Sequence, residues 1–226
     1  MKFIERALDL VAGQSVIGLG SGRAAQMFVR SLGEFVKAGK AKVRGIATSL
    51  ETAALATQVG IPLVTLADVS EIDVTFDGAD EVDRNLNLIK GYGRAMVREK
   101  IVAAASRRLV ILVGKEKLVP QLGSRGKLPI EIVPFGLPLC ERRLRQLGCN
   151  PLAYRVNGSL FTTDNGNHIL DCEIGPIANP LQFENDICAI PGVVGTGLFL
   201  GMADVVLVSD SDGENLVEER NKVLSP

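Results

Sequence analysis

The 226-residue chain has no tryptophan, two tyrosines and a single histidine. Its four cysteines, Cys140, Cys149, Cys172 and Cys188, include no Cys-x-x-Cys pair. That supply of ligands disfavours a zinc site. The expectation is reduced thiols and a cytoplasmic protein. The lone histidine, His168, follows Thr163-Asp164-Asn165-Gly166-Asn167, a hairpin signature, and reads as a surface strand residue. Acid–base work therefore falls to carboxylates and lysine. No apolar run reaches the ~18 residues that a membrane span requires. The start, Met1-Lys2-Phe3-Ile4-Glu5-Arg6, reads as an amphipathic helix and not as a signal peptide. Net charge is −1 and no basic tract stands out, which argues against nucleic acid as a partner.

What is present is a chain able to bury a core, with 46% hydrophobic and 23% charged residues. Residues 3–12 read as a helix and 15–19 as a short apolar strand. Gly20-Ser21-Gly22 follows, then a helix over 23–35 with Ala24, Met27, Phe28 and Leu32 on one face. Strands are expected at 41–47, 61–64, 74–76 and 109–113, with helices at 51–59 and 94–106. This alternation implies a parallel sheet with right-handed crossovers. After Lys117 the rhythm changes to strand, helix, strand, strand, helix, strand, a small α+β (ferredoxin-like) sandwich that ends in a strand over 193–200. An apolar strand at 203–208 returns to the first pattern. The expected fold is α/β: a doubly wound, mostly parallel sheet formed by 1–126 and 202–226, with a smaller domain, 127–201, inserted.

Chemistry concentrates between Asp73 and Ser106. The strand over 74–76 delivers Asp77 at its carboxyl end, where open α/β sheets bind ligands. The turn Asp77-Gly78-Ala79-Asp80 can bring two carboxylates together. Asp83, Asn85 and Asn87 imitate the start of a calcium loop. Leu88 stands where that loop needs glycine, and Arg94 where it needs the bidentate glutamate, so no metal is expected. Lys90, just before Gly91, is either a snorkelling surface lysine or a cation for a developing oxyanion. Glu99 has Ala95, Met96, Val102 and Ala103 at helical spacings of three and four. A carboxylate among apolar neighbours is poised for proton transfer; the alternative is that it points to solvent. Gly18-Leu19-Gly20-Ser21-Gly22-Arg23 lacks the last glycine of a dinucleotide fingerprint, and the next strand ends in Thr48-Ser49 without an acidic residue, so no nucleotide cofactor is expected. The loop is a phosphate cradle or a plain tight turn.

Together these segments resemble the ribose-5-phosphate isomerases of the A type, nearly end to end. The matching residues are Gly18 to Gly22, Asp77-Gly78-Ala79-Asp80-Glu81, Lys90-Gly91, Arg98-Glu99-Lys100-Ile101-Val102, Thr163-Asp164-Asn165-Gly166-Asn167 and Pro191-Gly192-Val193-Val194. The resemblance implies interconversion of ribose 5-phosphate and ribulose 5-phosphate through an enediolate, without metal or cofactor, in the non-oxidative branch of the pentose phosphate pathway. It implies that Glu99 shuttles the proton between C1 and C2, that Asp77 and Asp80 handle ring opening and hydroxyl protons, and that Lys90 steadies the enediolate oxygen. Gly20, Ser21, Gly22, Thr48, Ser49, Gly78, Ala79, Gly91 and Lys117 fall at substrate positions, with Glu81 and Asp83 left to turn and surface roles. It further implies a homodimer or homotetramer.

The chain departs from the family pattern at several places. Gly22-Arg23-Ala24 replaces Gly-Ser-Thr, which removes two hydroxyls and adds a guanidinium able to clamp phosphate. Gly91-Tyr92-Gly93-Arg94 replaces a more glycine-rich run. Gly114 and Glu116 stand for the usual aspartate and serine before Lys117, and Lys2 is only a loose match to an upstream lysine. Two alternatives stand beside the isomerase: a sugar-phosphate sensor on the same fold, which would have no need of Glu99 or Lys90, and an isomerase of a different aldose phosphate.

Overall fold

The computed structural model describes residues 1–222. In chain order the helices are α1 (Phe3–Asp9), α2 (Arg23–Lys37), α3 (Leu50–Gln58), α4 (Met96–Ala104), α5 (Leu137–Gln146) and α6 (Pro180–Cys188). The first seven strands are β1 (Val16–Leu19), β2 (Arg44–Ala47), β3 (Val74–Gly78), β4 (Glu81–Val82), β5 (Leu88–Ile89), β6 (Leu109–Gly114) and β7 (Lys127–Ile132). Then come β8 (Asn150–Ala153), β9 (Arg155–Val156), β10 (Ser159–Leu160), β11 (His168–Glu173), β12 (Val193–Thr196), β13 (Leu198–Phe199), β14 (Val205–Ser209) and β15 (Leu216–Asn221).

The chain divides into two compact units. One comprises Met1–Ala79, Arg98–Lys117 and Met202–Pro226, the other Asp80–Val97 and Leu118–Gly201. The sequence placed 80–97 and 118–126 with the parallel sheet. They belong to the second unit because β5 pairs with β13, β4 pairs with β5, and the main chain at Gly123 and Arg125 donates to Glu81. The last four residues of the expected 202–226 segment lie outside the described residues.

The first unit holds a six-stranded sheet in the order β15-β14-β6-β3-β1-β2. All neighbours are parallel except β14 and β15. Its inner strands are near-continuous apolar runs, as a sheet covered on both faces requires. Ile17, Leu19, Val74, Phe76, Val110 and Leu112 point to the α1–α2 side. Val16 and Ile46 pack with Val102 of α4 on the other. The buried stripe of α2 is Ala25, Phe28, Val29 and Leu32. It is turned by one residue from the expected face: Met27 is exposed, and Phe28 stacks on Phe76 with centroids 4.1 Å apart. The antiparallel edge strand β15 had no counterpart in the sequence reading, because its Glu218, Glu219 and Arg220 give it no apolar run.

The second unit holds a four-stranded antiparallel sheet, β12-β7-β11-β8, built by a strand–helix–strand–strand–helix–strand run. That order is the ferredoxin-like arrangement anticipated. Leu128, Ile130, Ile132, Leu170 and Cys172 pack with Cys140 and Leu144 of α5 and Ile187 of α6. On the other face lies Glu131, fully buried, whose Oε1 accepts from Thr163 Oγ1 (3.0 Å), Asn165 Nδ2 (3.0 Å) and Asn167 Nδ2 (2.9 Å). The single strand expected over 193–200 is two, β12 and β13, in different sheets. The chain changes sheet at Gly197, where a Cβ would lie 2.2 Å from the Lys90 carbonyl oxygen. Among the described residues no helix is long and apolar enough to cross a membrane, and no group of three histidine, cysteine or acidic side chains is placed to hold a metal ion.

Candidate active site

In a parallel sheet the carboxyl ends of the strands share one edge. Here that edge collects the residues after Leu19, Ala47, Gly78 and Gly114. From β1 the chain crosses to β2 on one side and returns through α3 to β3 on the other. The crevice outside such a reversal is where open α/β sheets take their ligands. Asp77 sits there, 1% exposed. Its Oδ1 accepts the Ser21 N–H at 3.0 Å and the Gly78 N–H at 2.7 Å. Gly20 leaves room for it: a Cβ at Gly20 would lie 2.3 Å from Asp77 Oδ1.

The rest of this edge is a chain of hydroxyls. Ser21 Oγ donates to Ser49 Oγ (3.0 Å), Ser49 Oγ to Thr52 Oγ1 (2.9 Å), and Thr52 Oγ1 to the Gly20 carbonyl (3.0 Å). Thr48 Oγ1 lies 2.7 Å from Ser21 Oγ and donates to the Leu19 carbonyl at 3.1 Å. All four side chains are buried, so the chain ties the Gly20–Ser21 loop to the start of α3, where Ser49 caps the helix by accepting from the Thr52 N–H at 3.0 Å. Thr52 was not singled out from the sequence; its spacing of three from Ser49 was the available signal.

Two of the loop's own N–H groups are already spent. Gly20 N–H donates to the Phe76 carbonyl at 2.9 Å and Ser21 N–H to Asp77. Beyond them come Gly22 and the first turn of α2, whose N–H groups have no partner within the helix, an arrangement that favours an anion. Gly22, the residue before that turn, has φ +85° and ψ 175°, a region that is essentially glycine's alone. Arg23, at the first helical position, is exposed. Lys117 is half-buried at the end of the turn after β6, and the Glu116 carboxylate folds back over Gly114. Lys2 is committed elsewhere, in an ion pair of 2.9 Å with Glu214.

Glu99 is 4% exposed, so the solvent-facing alternative falls. The helix α4 returns the chain to a parallel strand and so runs against the sheet, with its first turn towards the carboxyl edge. Val102 packs near Gly18, and Ser106 Oγ lies 2.7 Å from Thr75 Oγ1. Glu99 stands one turn nearer that edge than Val102, on the face that Thr75 and Asp77 share by strand alternation.

The remaining candidates lie in the second unit. Asp80 N–H donates to the Ile89 carbonyl at 2.8 Å, which sets Asp80 across the hairpin from Lys90. Tyr92 N–H donates to Asp80 Oδ2 at 2.9 Å. Burial, and then the charges of Asp80 and Glu81, push the Tyr92 phenol well above its ordinary pKa. Lys90 is 3% exposed and not a snorkelling surface residue; its Nζ lies 5.4 Å from the Phe199 ring centroid and its N–H donates to Gly197 O at 2.8 Å. Gly91, Tyr92 and Gly93 form the turn that follows. Arg94, expected inside the helix, precedes it with φ +68°. Asp83 has the turn role expected of it, accepting from the Asn85 and Asn87 N–H groups at 2.8 and 2.9 Å. Glu81 does not lie at the surface: it is fully buried and accepts from the Gly123 and Arg125 N–H groups at 2.7 and 2.8 Å.

A buried carboxylate and a hydroxyl-tied helix start at the switch point of an open parallel sheet form the layout of α/β enzymes that take small anionic ligands. Comparison with known proteins narrows that class. Residues 44–213 match the family of ribose 5-phosphate isomerase A (phosphoriboisomerase A). The chain is 50% identical over 211 residues to the ribose-5-phosphate isomerase A of Roseiflexus castenholzii, covering 92% of this chain and 90% of that one. It is 51% identical over 209 residues to that of Gloeobacter violaceus, again covering 92% and 90%. Among solved structures, ribose 5-phosphate isomerase A of Methanocaldococcus jannaschii superposes with a TM-score of 0.90 at 38% identity, covering 98% of this chain and 97% of that one. A D-ribose-5-phosphate isomerase in complex with phospho-erythronic acid also gives 0.90, at 37% identity and 96% of each chain. The chain belongs to the ribose 5-phosphate isomerase A family.

Proposed function

We propose that the chain interconverts ribose 5-phosphate and ribulose 5-phosphate. The observation that carries the reading is Asp77, buried at the β1–β3 switch point and bonded to the loop that leads into α2. Membership of the isomerase family and a solved relative holding phospho-erythronic acid, a phosphorylated sugar acid, support it. The phosphate is taken by the first turn of α2, with Gly20, Ser21, Gly22, Arg23, Thr48, Ser49 and Lys117 around it and Gly78, Ala79 and Gly91 against the sugar.

Asp77 and Asp80 assist ring opening by moving hydroxyl protons. Glu99 takes the proton from C2 of the open aldose. The electron pair of that C–H bond forms the C1–C2 double bond, and the aldehyde oxygen becomes an enediolate oxyanion stabilised by Lys90. Glu99 then returns the proton to C1 while the C2 hydroxyl proton passes to the C1 oxyanion, which becomes the C1 hydroxyl as the C2 carbonyl of the ketose forms. A group that first accepts and then donates must be held still between the two carbons, and the burial of Glu99 supports that.

The same reading includes a homo-oligomer, dimer or tetramer, in the cytoplasm. The near-complete exposure of Phe135 (98%), with Val133 and Val194 also exposed, supports a second copy covering apolar surface here. Free thiols at all four cysteines support the location. The test is a coupled assay of ribose 5-phosphate against other phosphorylated aldoses. Ribose 5-phosphate is expected to give the highest kcat/KM. Binding without turnover would return the sensor reading, and a better substrate among the other aldoses would replace the assignment.

A further inference from the structure

Arg94 holds a backbone conformation that its side chain disfavours. Its φ of +68° lies in the left-handed region, where a Cβ crowds the following carbonyl. A non-glycine residue persists there when its surroundings over-determine it. Arg94 is fixed twice. Its Nη1 and Nη2 donate to Asp171 Oδ1 and Oδ2 at 2.5 and 2.9 Å, and its Cζ lies 3.6 Å from the centroid of the Tyr154 ring. A planar fork that pairs bidentately while stacking on an aromatic face is a property of arginine and not of lysine. Asp171 is 77 residues away in the chain, so the hold is tertiary and not part of the turn itself.

The turn so fixed carries site residues. Arg94 N–H closes it by donating to the Gly91 carbonyl at 2.9 Å. Within it, Tyr92 N–H donates to Asp80 Oδ2. Tyr92 is also braced from the side: its hydroxyl donates to the Lys127 carbonyl at 3.2 Å, and Lys127 Nζ lies 3.9 Å from its ring centroid. Lys127 Nζ is 3.7 Å from Asp171 Oδ2, the oxygen that Arg94 also uses. One carboxylate thus braces both the middle and the end of the turn.

We propose that Arg94 is a positioning residue of the isomerase. Clamped by Asp171 and Tyr154, it fixes the 91–94 turn, and through the turn the Tyr92 N–H that orients Asp80 and the direction in which Lys90 leaves β5. The inference rests on the roles given to Asp80 and Lys90 above. With both terminal nitrogens donating to Asp171 and the guanidinium stacked on Tyr154, the role assigned to Arg94 is to hold the turn.

The experiment compares Arg94→Ala, Arg94→Gly, Arg94→Lys, Asp171→Asn and the Arg94→Ala/Asp171→Asn double variant in the full chain. Positioning predicts that kcat falls about tenfold or more in Arg94→Ala with KM within about twofold, the signature of misplaced chemical groups rather than lost binding. Arg94→Lys should recover less than half of the loss. The double variant should be little worse than the worse single one, because the pair acts as a unit. Arg94→Gly removes the conformational penalty together with the clamp, so it decides the question even if Arg94→Ala fails to fold. A kcat within twofold of the unmodified protein in Arg94→Gly would overturn the proposal, whatever the melting temperature. Asp80→Asn in the same assay separates the two layers: full turnover there overturns the role given to Asp80, whereas full turnover in Arg94→Gly alone overturns only that of Arg94.

Discussion

At the carboxyl edge of the parallel sheet, Asp77 is held by main-chain N–H groups of Ser21 and Gly78, and the loop above it by hydroxyls that end on the carbonyls of Leu19 and Gly20. In the 80–94 segment the supports are side chains paired with distant partners. Glu81 reaches Gly123 and Arg125, 42 and 44 residues on, and Arg94 reaches Asp171. The first region takes its shape from the parallel fold itself, because strand ends and helix starts must meet at that edge. The second has two-residue strands, β4 and β5, and owes its shape to the side-chain bonds of Glu81 and Arg94. The first region should therefore tolerate side-chain changes that the second does not.

Glu81→Gln tests this contrast most strongly. The amide would point a donor at one of two main-chain donors inside a fully buried site. A loss of about 1–3 kcal/mol of stability is expected, read as a lower midpoint in chemical denaturation. An unchanged midpoint would show that the segment is not held as described. Arg23→Ala is expected to be milder and different in kind. Arg23 is exposed, so stability should hold, while KM for ribose 5-phosphate should rise roughly fivefold, the size of a single charged contact near 1 kcal/mol, with kcat unchanged. An unchanged KM would remove Arg23 from the phosphate, and a stability loss comparable to that of Glu81→Gln would break the contrast itself.

The same contrast decides what could be read from the sequence. The strand–glycine–helix pattern at 15–35, the carboxyl-end position of Asp77 and the apolar spacing around Glu99 are local signals: the strand and helix form, Asp77 stands near the end of β3, and Glu99 is buried with its apolar neighbours. The buried stripe of α2 was displaced by one residue because alanine and methionine mark a helical face weakly. The features that escaped depend on partners far along the chain. Glu81 looked like one acid in a solvated turn until Gly123 and Arg125 closed over it. Arg94 looked like the first residue of a helix, since nothing near it announces Asp171 or Tyr154. One apolar run became two strands at Gly197, where the Lys90 carbonyl comes too close for any residue with a Cβ. The edge strand β15, with Glu218, Glu219 and Arg220 in it, pairs with β14 and, among the described residues, with no other strand.

The central claim is that Glu99, buried on α4, moves the substrate proton. The most direct measurement is steady-state turnover of ribose 5-phosphate by Glu99→Gln, with circular dichroism and the melting temperature to establish that the variant is folded. The amide keeps the shape of the side chain and removes its ability to take a proton. A folded variant with turnover lowered by at least ~10²-fold is the predicted result. A folded Glu99→Gln with near-normal turnover would contradict the account and return the search for the base to Asp77 and Asp80.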